Sequence, residues 1–156
     1  MYPLKQSNFI IRKAKLRLQK LSSVGKDNKK VIIKNDNDVF NFIKPLFTNI
    51  EIYEEVFLIG FDTESSVSIV YKISQGGFTS SSIDIKMLFT VLLTSKCNGF
   101  IMVHNHPSGV LSPSDQDKTM CSRLMSAAKF LDMNMLDFII ISNDDYYSFN
   151  RNNEMK

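Results

Sequence analysis

The stretch FIMVHNHPSGVLSPSDQD, residues 100–117, predicts the centre of the fold. Its first four residues are all apolar, which is the pattern of a short strand buried on both faces of a sheet. The Pro, Ser and Gly residues after the histidines predict a loop, and the apolar spacing from about Asp115 to Leu131 predicts a helix. A buried strand, a polar loop and a helix in this order are typical of an α/β domain.

The rest of the sequence predicts a sheet and two more helices around this unit. Strands are expected at residues 31–33, 50–61, 67–73, 136–142 and 146–149. Asp36 or Asn37 is expected to cap one helix and Asp84 the next, while Pro45 should end or kink the first and Gly99 should close the second. The order of elements predicts a single α/β domain with a mixed sheet and helices packed on its faces.

Length and composition restrict the class of protein. The chain has 156 residues, of which 44% are hydrophobic and 22% charged, a composition that suits one globular domain. No apolar run reaches the roughly 18 residues of a membrane span and no signal-peptide pattern is present, so we expect a cytoplasmic protein with no membrane partner. Cys97 and Cys121 are too few for a disulfide framework and are expected to be reduced and buried.

Basic residues are concentrated at the N-terminus. Residues 1–30 contain nine Lys or Arg and one acid, whereas the remaining 126 residues contain ten bases and fifteen acids, so a net charge of +8 is followed by one of −5. We therefore divide the chain into a basic N-terminal arm or linker, 1–30, and a domain, 31–156. Such an arm can bind nucleic acid, but a solvated segment is the favoured interpretation because no aromatic side chain lies among the bases from Arg12 to Lys30.

Two histidines and a nearby acid carry the strongest chemical signal. His104 and His106 follow the buried strand, and their spacing places both imidazoles on the same side of an extended chain, with Asn105 pointing away. Imidazoles that converge in this way can bind zinc, and Asp117 offers a carboxylate at the start of the next helix. Simpler interpretations remain open, because the histidines alone could be ordinary polar residues and Ser114-x-x-Asp117 is also the pattern of a helix capping box.

The motif HNHPSG at 104–109, followed by Ser114 and Asp117, resembles the JAMM signature of the JAB/MPN metallopeptidases. The Asn between the histidines and the Pro-Ser-Gly after them resemble the bacterial RadC branch, whose members have long been labelled DNA repair proteins. The resemblance extends from about residue 51 to residue 149. It implies a JAB/MPN-type, cytidine-deaminase-like fold, with a mixed sheet and helices on its faces.

The resemblance also implies a ligand set and an oxyanion donor. His104, His106 and Asp117 would hold one zinc ion, with water in the fourth position. Ser114 would hydrogen-bond the oxygen on which negative charge develops during the reaction. Asp115 lies two residues too early for the pattern, so we expect it to be exposed or to interact with the helix dipole.

Two adjacent acids, Glu54 and Glu55, are candidates for the proton-transfer residue that the resemblance implies. Relatives place this acid eight residues before the Asp or Asn of the hairpin turn, here Asp62, which selects Glu54. Alternation agrees, because Glu54 shares a strand face with Val56 whereas Glu55 lies on the other face. A bulge in the strand would exchange the two.

The expected function is hydrolysis of peptide or isopeptide bonds in a peptide or protein substrate by a zinc-activated water. A metal-dependent nuclease or DNA-repair accessory module is the first alternative, and it requires the basic arm to bind DNA. A non-catalytic MPN interaction module is the second, against which the complete ligand set counts. One departure from the RadC pattern leaves that set intact: relatives usually read Leu-Asp-His where this chain reads Leu-Asp-Phe, ending at Phe138.

Deleting residues 1–30 is expected to leave a cooperative thermal melt with only a modest shift in midpoint, because the charge pattern of the arm offers little surface to bury. Any DNA binding should disappear with the arm. Thermal melting and DNA titrations at several salt concentrations measure the two effects. A truncated protein that bound DNA with an unchanged salt dependence would show that the arm is not the contact surface.

Overall fold

The computed structural model describes residues 31–75 and 83–155. The elements in chain order are α1 (Asp36–Ile43), a 3-10 helix (Lys44–Leu46), β1 (Glu55–Phe61), β2 (Val67–Gln75), α2 (Ile85–Thr94), β3 (Gly99–Asn105), α3 (Asp115–Phe130), β4 (Asn134–Ile141) and β5 (Tyr146–Ser148). The predicted basic arm lies outside the described residues. Among the helices that are described, none is long and apolar enough to cross a bilayer.

The five strands form one mixed sheet in the order β2-β1-β3-β4-β5. β3 and β4 are parallel, whereas the other neighbouring strands are antiparallel. A parallel pair needs a long crossover, which α3 provides, while the β1–β2 hairpin needs only a short turn. The predicted mixed sheet is therefore confirmed, and the chain leaves β3 at the end of the sheet where the two histidines lie.

Apolar side chains cover both faces of the sheet. Side chains alternate along the strands, so Leu58 and Met102 join the cluster under α2 and α3, while Ile59 and Val103 join the cluster under α1. The helices complete the two clusters with Leu88, Leu92, Met120 and Leu124 on the first face and Val39 and Ile43 on the second. The predicted arrangement, a single domain with helices on both faces of a sheet, is confirmed.

Several element boundaries differ from those predicted. α1 is capped by Asn35, whose side chain accepts a hydrogen bond from the N–H of Asp38, so the cap lies before the predicted position. Pro45 lies in the 3-10 helix that directly follows α1, where its missing N–H is tolerated. Gly99 begins β3 instead of closing α2. The strand expected at 31–33 is reduced to one isolated bridge with the hairpin.

The segment 50–53 forms a turn, whereas it was predicted to be the first part of a strand. The N–H groups of Ile52 and Tyr53 both donate to the carbonyl oxygen of Asn49, at 2.9 and 3.1 Å. β1 therefore begins only at Glu55. The turn leaves Glu54, the residue that precedes β1, outside the regular pairing of the sheet.

Gly60 of β1 permits close packing of the sheet against α2 and the turn after it. A Cβ atom at this position would lie 2.5 Å from Sγ of Cys97 and 2.9 Å from Cγ2 of Ile69. Gly60→Ala is therefore expected to lower the free energy of unfolding by about 1–3 kcal/mol through overpacking, as denaturant unfolding can measure. Ser68→Ala, at an exposed position in β2, is the control and should stay within about 0.5 kcal/mol of the parent. Equal stability of the Gly60 variant and the parent would contradict the packing argument.

Candidate metal centre

The end of β3 and the first turn of α3 bring together the three residues that the sequence predicts as metal ligands. Nε2 of His104 lies 3.1 Å from Nε2 of His106 and 3.1 Å from Oδ1 of Asp117. Nε2 of His106 lies 3.5 Å from Oδ2 of Asp117. His104 and Asp117 are fully buried whereas His106 is partly exposed, so the cluster is accessible from the side of His106.

These separations fit a metal ion. Bonds of about 2.0–2.2 Å from tetrahedral zinc place neighbouring nitrogen and oxygen ligands about 3.3–3.6 Å apart. The observed separations of 3.1 to 3.5 Å are close to that range, so a small outward adjustment of the side chains would accommodate the ion. Two imidazoles and a carboxylate form a known ligand set of catalytic zinc sites, which keep a fourth position open.

A capping box at the start of α3 fixes the orientation of Asp117. The backbone N–H and the hydroxyl of Ser114 donate to Oδ2 of Asp117, at 2.7 and 2.6 Å, and the Asp117 N–H donates to the Ser114 hydroxyl oxygen at 3.2 Å. The simpler interpretation of this motif is therefore correct, yet it does not compete with a metal site. Because the box holds Oδ2, it directs Oδ1 towards His104.

A backbone carbonyl fixes the ring of His106. Nδ1 of His106 lies 2.6 Å from the carbonyl oxygen of Val110 in the loop that follows β3. A carbonyl oxygen can only accept, so Nδ1 carries the hydrogen and Nε2 of the neutral ring keeps a lone pair directed into the cluster. The ring of His104 packs against the ring of Phe138, with 5.2 Å between their centroids.

Burial and mutual contacts set the protonation of the cluster. Burial lowers the pKa of His104, and the hydrogen bond with Asp117 offsets this only in part, so the imidazole is neutral near pH 7. Burial alone would raise the pKa of Asp117, but its hydrogen bonds with His104 and His106 outweigh that effect and hold the pKa well below its usual range. The hydrogen bond with Asp117 raises the pKa of His106. A carboxylate and a neutral buried imidazole are the forms that bind a metal.

The register of β1 on β3 separates the two candidate glutamates. Val56 pairs with His104, and residues opposite each other in an antiparallel pair point to the same face. Glu54 precedes Val56 by two residues, so alternation along the chain would put it on the same face as Val56 and His104. The charge of Glu54 also raises the pKa of His106, to a smaller extent than the hydrogen bond with Asp117. Glu55 is fully buried and forms an ion pair with a lysine of β2. Glu54 remains the proton-transfer residue that we predict.

Other residues noted in the sequence lie apart from the cluster. Asp115 is exposed in the first turn of α3. Asp137 accepts a hydrogen bond of 2.6 Å from the Ser148 hydroxyl and so connects β4 to β5. Cys97 and Cys121 are free and buried, as predicted, and burial raises their pKa values to about 11 and about 12. Both therefore remain protonated thiols near neutral pH, which is not the form that binds a metal.

Sequence reasoning missed a residue that organises this site. Asn105 points away from the two histidines, as predicted, but its fully buried side chain makes three hydrogen bonds to the backbone of residues 50–55. An amide next to an otherwise apolar strand was the available signal, because a buried polar side chain needs hydrogen-bond partners. The Val110 carbonyl that orients His106 could not have been found, because any residue type supplies a backbone carbonyl.

The fold and the cluster together define a class of protein: an α/β domain whose mixed sheet and one helix start form a His-x-His and Asp cluster that fits a metal ion. The family model of the RadC-like JAB domain matches residues 33–155. The chain therefore belongs to the RadC-like JAB domain family. Membership suggests a metal-dependent hydrolase of the JAMM type, with which the cluster is compatible.

Several UPF0758 proteins are similar to this chain. The protein from Flavobacterium johnsoniae is 32% identical over 117 residues, which cover 75% of this chain and 51% of the relative. The protein from Chlorobaculum tepidum is 32% identical over 122 residues, covering 78% and 54%, and that from Alkaliphilus metalliredigens is 34% identical over 124 residues, covering 79% and 53%. The chain thus spans about half the length of the curated relatives it matches.

Protein purified without chelator is expected to contain one metal ion per chain, as measured by elemental analysis. His106→Ala and Asp117→Asn should both lose most of this metal, because a methyl group cannot bind it and a neutral amide is a poor ligand. Asp115→Asn removes an exposed carboxylate from the same helical turn and is the matched control, which should retain the metal. Equal metal content in His106→Ala and the parent would contradict the ligand assignment.

Proposed function

We propose that this chain is a zinc-dependent hydrolase of the JAMM type, which cleaves peptide or isopeptide bonds with a zinc-activated water. The observation that carries the proposal is the convergence of two imidazole nitrogens and one carboxylate, with donor atoms 3.1 to 3.5 Å apart, at one end of the sheet. Family membership supports the class of reaction. Peptide and protein chains are the proposed substrates.

The ligand set favours zinc over other common metal ions. Magnesium and calcium prefer sites built from oxygen atoms, whereas two imidazoles and a carboxylate suit zinc. Zinc in this site would supply a Lewis acid for the substrate carbonyl and a water whose pKa is lowered to about 7. The three ligands would contribute a single negative charge, because His104 and His106 are neutral and Asp117 is anionic. A site that holds a divalent zinc ion would therefore keep a net positive charge, which attracts a carbonyl oxygen that gains negative charge.

Glu54 is the proposed proton-transfer residue. It is half-buried and lies two residues before Val56, which pairs with His104, and its charge acts on His106. A carboxylate there can accept a proton from the attacking water and deliver it to the leaving nitrogen, which departs as a neutral amine. Glu55 is paired with Lys72 on the opposite face of the sheet, so it does not face the reacting groups.

Ser114 is the proposed donor to the substrate oxygen. In the structure its hydroxyl donates to Oδ2 of Asp117, and its backbone N–H donates to the same oxygen. Rotation of the hydroxyl would redirect its hydrogen towards the substrate, while the backbone N–H would continue to hold Asp117. Such a donor contributes roughly 3 kcal/mol to the stabilisation of the transition state in well-studied hydrolases.

The charge distribution supports a second candidate, a DNA-associated nuclease or repair accessory module that uses the same site. The net charge of +8 in residues 1–30 would attract a phosphate backbone. This candidate ranks lower because no aromatic residue on which a nucleotide base could stack lies among the bases from Arg12 to Lys30. A non-catalytic interaction module ranks lower still, because it would not require a complete set of metal ligands.

Glu54→Gln is expected to retain zinc but to lower kcat by about 100- to 10,000-fold, because the amide keeps the size of the side chain and lacks the basicity needed for proton transfer. Elemental analysis gives the zinc content, and a panel of peptide and isopeptide substrates, run beside a DNA substrate, gives the activity.

Glu55→Gln is the matched control for that experiment. It should keep kcat near the parent value, but it should lower the melting temperature because it weakens a part-buried ion pair in which Glu55 is the fully buried partner. An inactive Glu55 variant beside an active Glu54 variant would exchange the two assignments. Normal hydrolysis by both variants would rule out the proposed mechanism.

A further inference from the structure

We propose that Asn105 is the positioning residue for Glu54, so that one short motif holds both the metal-binding strand and the proton-transfer segment in place. This inference rests on the proposed function, because it attributes the loss of activity without Asn105 to the displacement of Glu54. It adds a role for the residue between the two histidines, which binds no metal and points to the other side of the strand.

The Asn105 side chain connects β3 to the backbone on both sides of Glu54. Its Nδ2 donates to the carbonyl oxygens of Ile50 and Tyr53, at 2.6 and 2.7 Å, and both residues precede Glu54. Its Oδ1 accepts from the N–H of Glu55, which follows Glu54, at 2.7 Å. The amide thus uses both of its hydrogens and one acceptor position to hold this segment from two sides.

These hydrogen bonds take the place of regular strand pairing. The segment before β1 is a turn, so its backbone lies outside the ladder that aligns β1 with β3. Asn105 is fully buried, where competition from water is excluded and each hydrogen bond is correspondingly stronger. Because Asn105 lies between His104 and His106 in the chain, displacing its backbone would also displace the two imidazoles.

The chemistry of the site requires an amide at this position. A carboxylate would keep the oxygen that accepts from the Glu55 N–H, but it would place negative charge against two carbonyl oxygens. A serine is shorter and has only one hydrogen for the two carbonyl groups. Loss of the amide should therefore release the segment around Glu54 without removing any of the three proposed metal ligands.

Hydrogen–deuterium exchange tests the positioning without relying on activity or on the metal. In Asn105→Ala, exchange at the Glu55 amide should accelerate by at least about tenfold, and exchange at the Ile52 and Tyr53 amides should accelerate with it, whereas the β3–β4 amides should stay protected. Thr48→Ala is the matched control, because it removes a different side-chain hydrogen bond to the same segment, the one from Thr48 to the Glu55 carboxylate. It should leave the Glu55 amide protected.

A double-mutant cycle tests whether Asn105 acts through Glu54. Asn105→Ala should lower kcat by about 100-fold while KM and zinc content change little, because a displacement of about 1 Å in a catalytic group has this effect. In the Glu54→Gln background the same substitution should cause no further loss, since the group that it positions is already inactive. A merely structural role would instead multiply the two losses.

If Asn105→Ala does not fold, Asn105→Asp provides the test, because it keeps the volume and the acceptor and loses both donors. The Ile52 and Tyr53 amides should then exchange faster while the Glu55 amide stays protected. Unchanged exchange throughout residues 50–55, or multiplicative losses in the cycle, would overturn the inference. Full activity of Glu54→Gln would instead overturn the assignment of Glu54 in the proposed function, and the exchange rates would still decide whether Asn105 holds the segment.

Discussion

The antiparallel pairing of β1 with β3 is the constraint on which the rest of the site depends. It runs without a shift from Val56–His104 to Phe61–Gly99, and the two irregularities of β1, near Val56 and near Gly60, affect only its other edge, against β2. Since side chains alternate between the faces of a strand, a slip of one residue would bring Glu55 to the cluster and Glu54 to the opposite face. The apolar clusters on both faces resist such a slip, because it would exchange every core side chain of β1.

The three proposed ligands form a site whose atoms satisfy one another only in part. One hydrogen can bridge only two of the three ligand atoms, whereas a divalent cation can bind the lone pairs of all three at once. The arrangement is maintained because a buried carboxylate without partners would be costly, and the Ser114 capping box provides Asp117 with two hydrogen bonds independent of the histidines. The helix start therefore forms the site and also stabilises it when no metal is bound.

The sequence predicted features whose causes are local and missed those whose causes are distant. The histidine spacing, the helix after Ser114 and the buried strand before His104 follow from neighbouring residues, and all three are found in the structure. The turn at 50–53 receives two hydrogen bonds from Asn105, more than fifty positions away, which no pattern within the segment could reveal. The end of α2 was misplaced for a different, local reason: Lys96 adopts the left-handed conformation expected of a glycine, with φ of 55°, which leaves Gly99 free to begin β3.

The phenylalanine at position 138 shows how the cluster tolerates a departure from the RadC pattern. Its ring is fully buried between the ring of His104, at 5.2 Å, and that of Phe149, at 4.9 Å. It offers no lone pair, so it cannot replace a ligand, but it provides an apolar wall behind His104. That wall contributes to the burial that lowers the pKa of His104 and keeps the imidazole neutral.

A histidine at position 138 would have placed a polar ring nitrogen among these aromatic side chains and would have needed a hydrogen-bond partner there. Phe138 removes that requirement, so His104 is oriented by aromatic packing on one side and by Asp117 on the other, and the departure leaves the proposed ligand set complete.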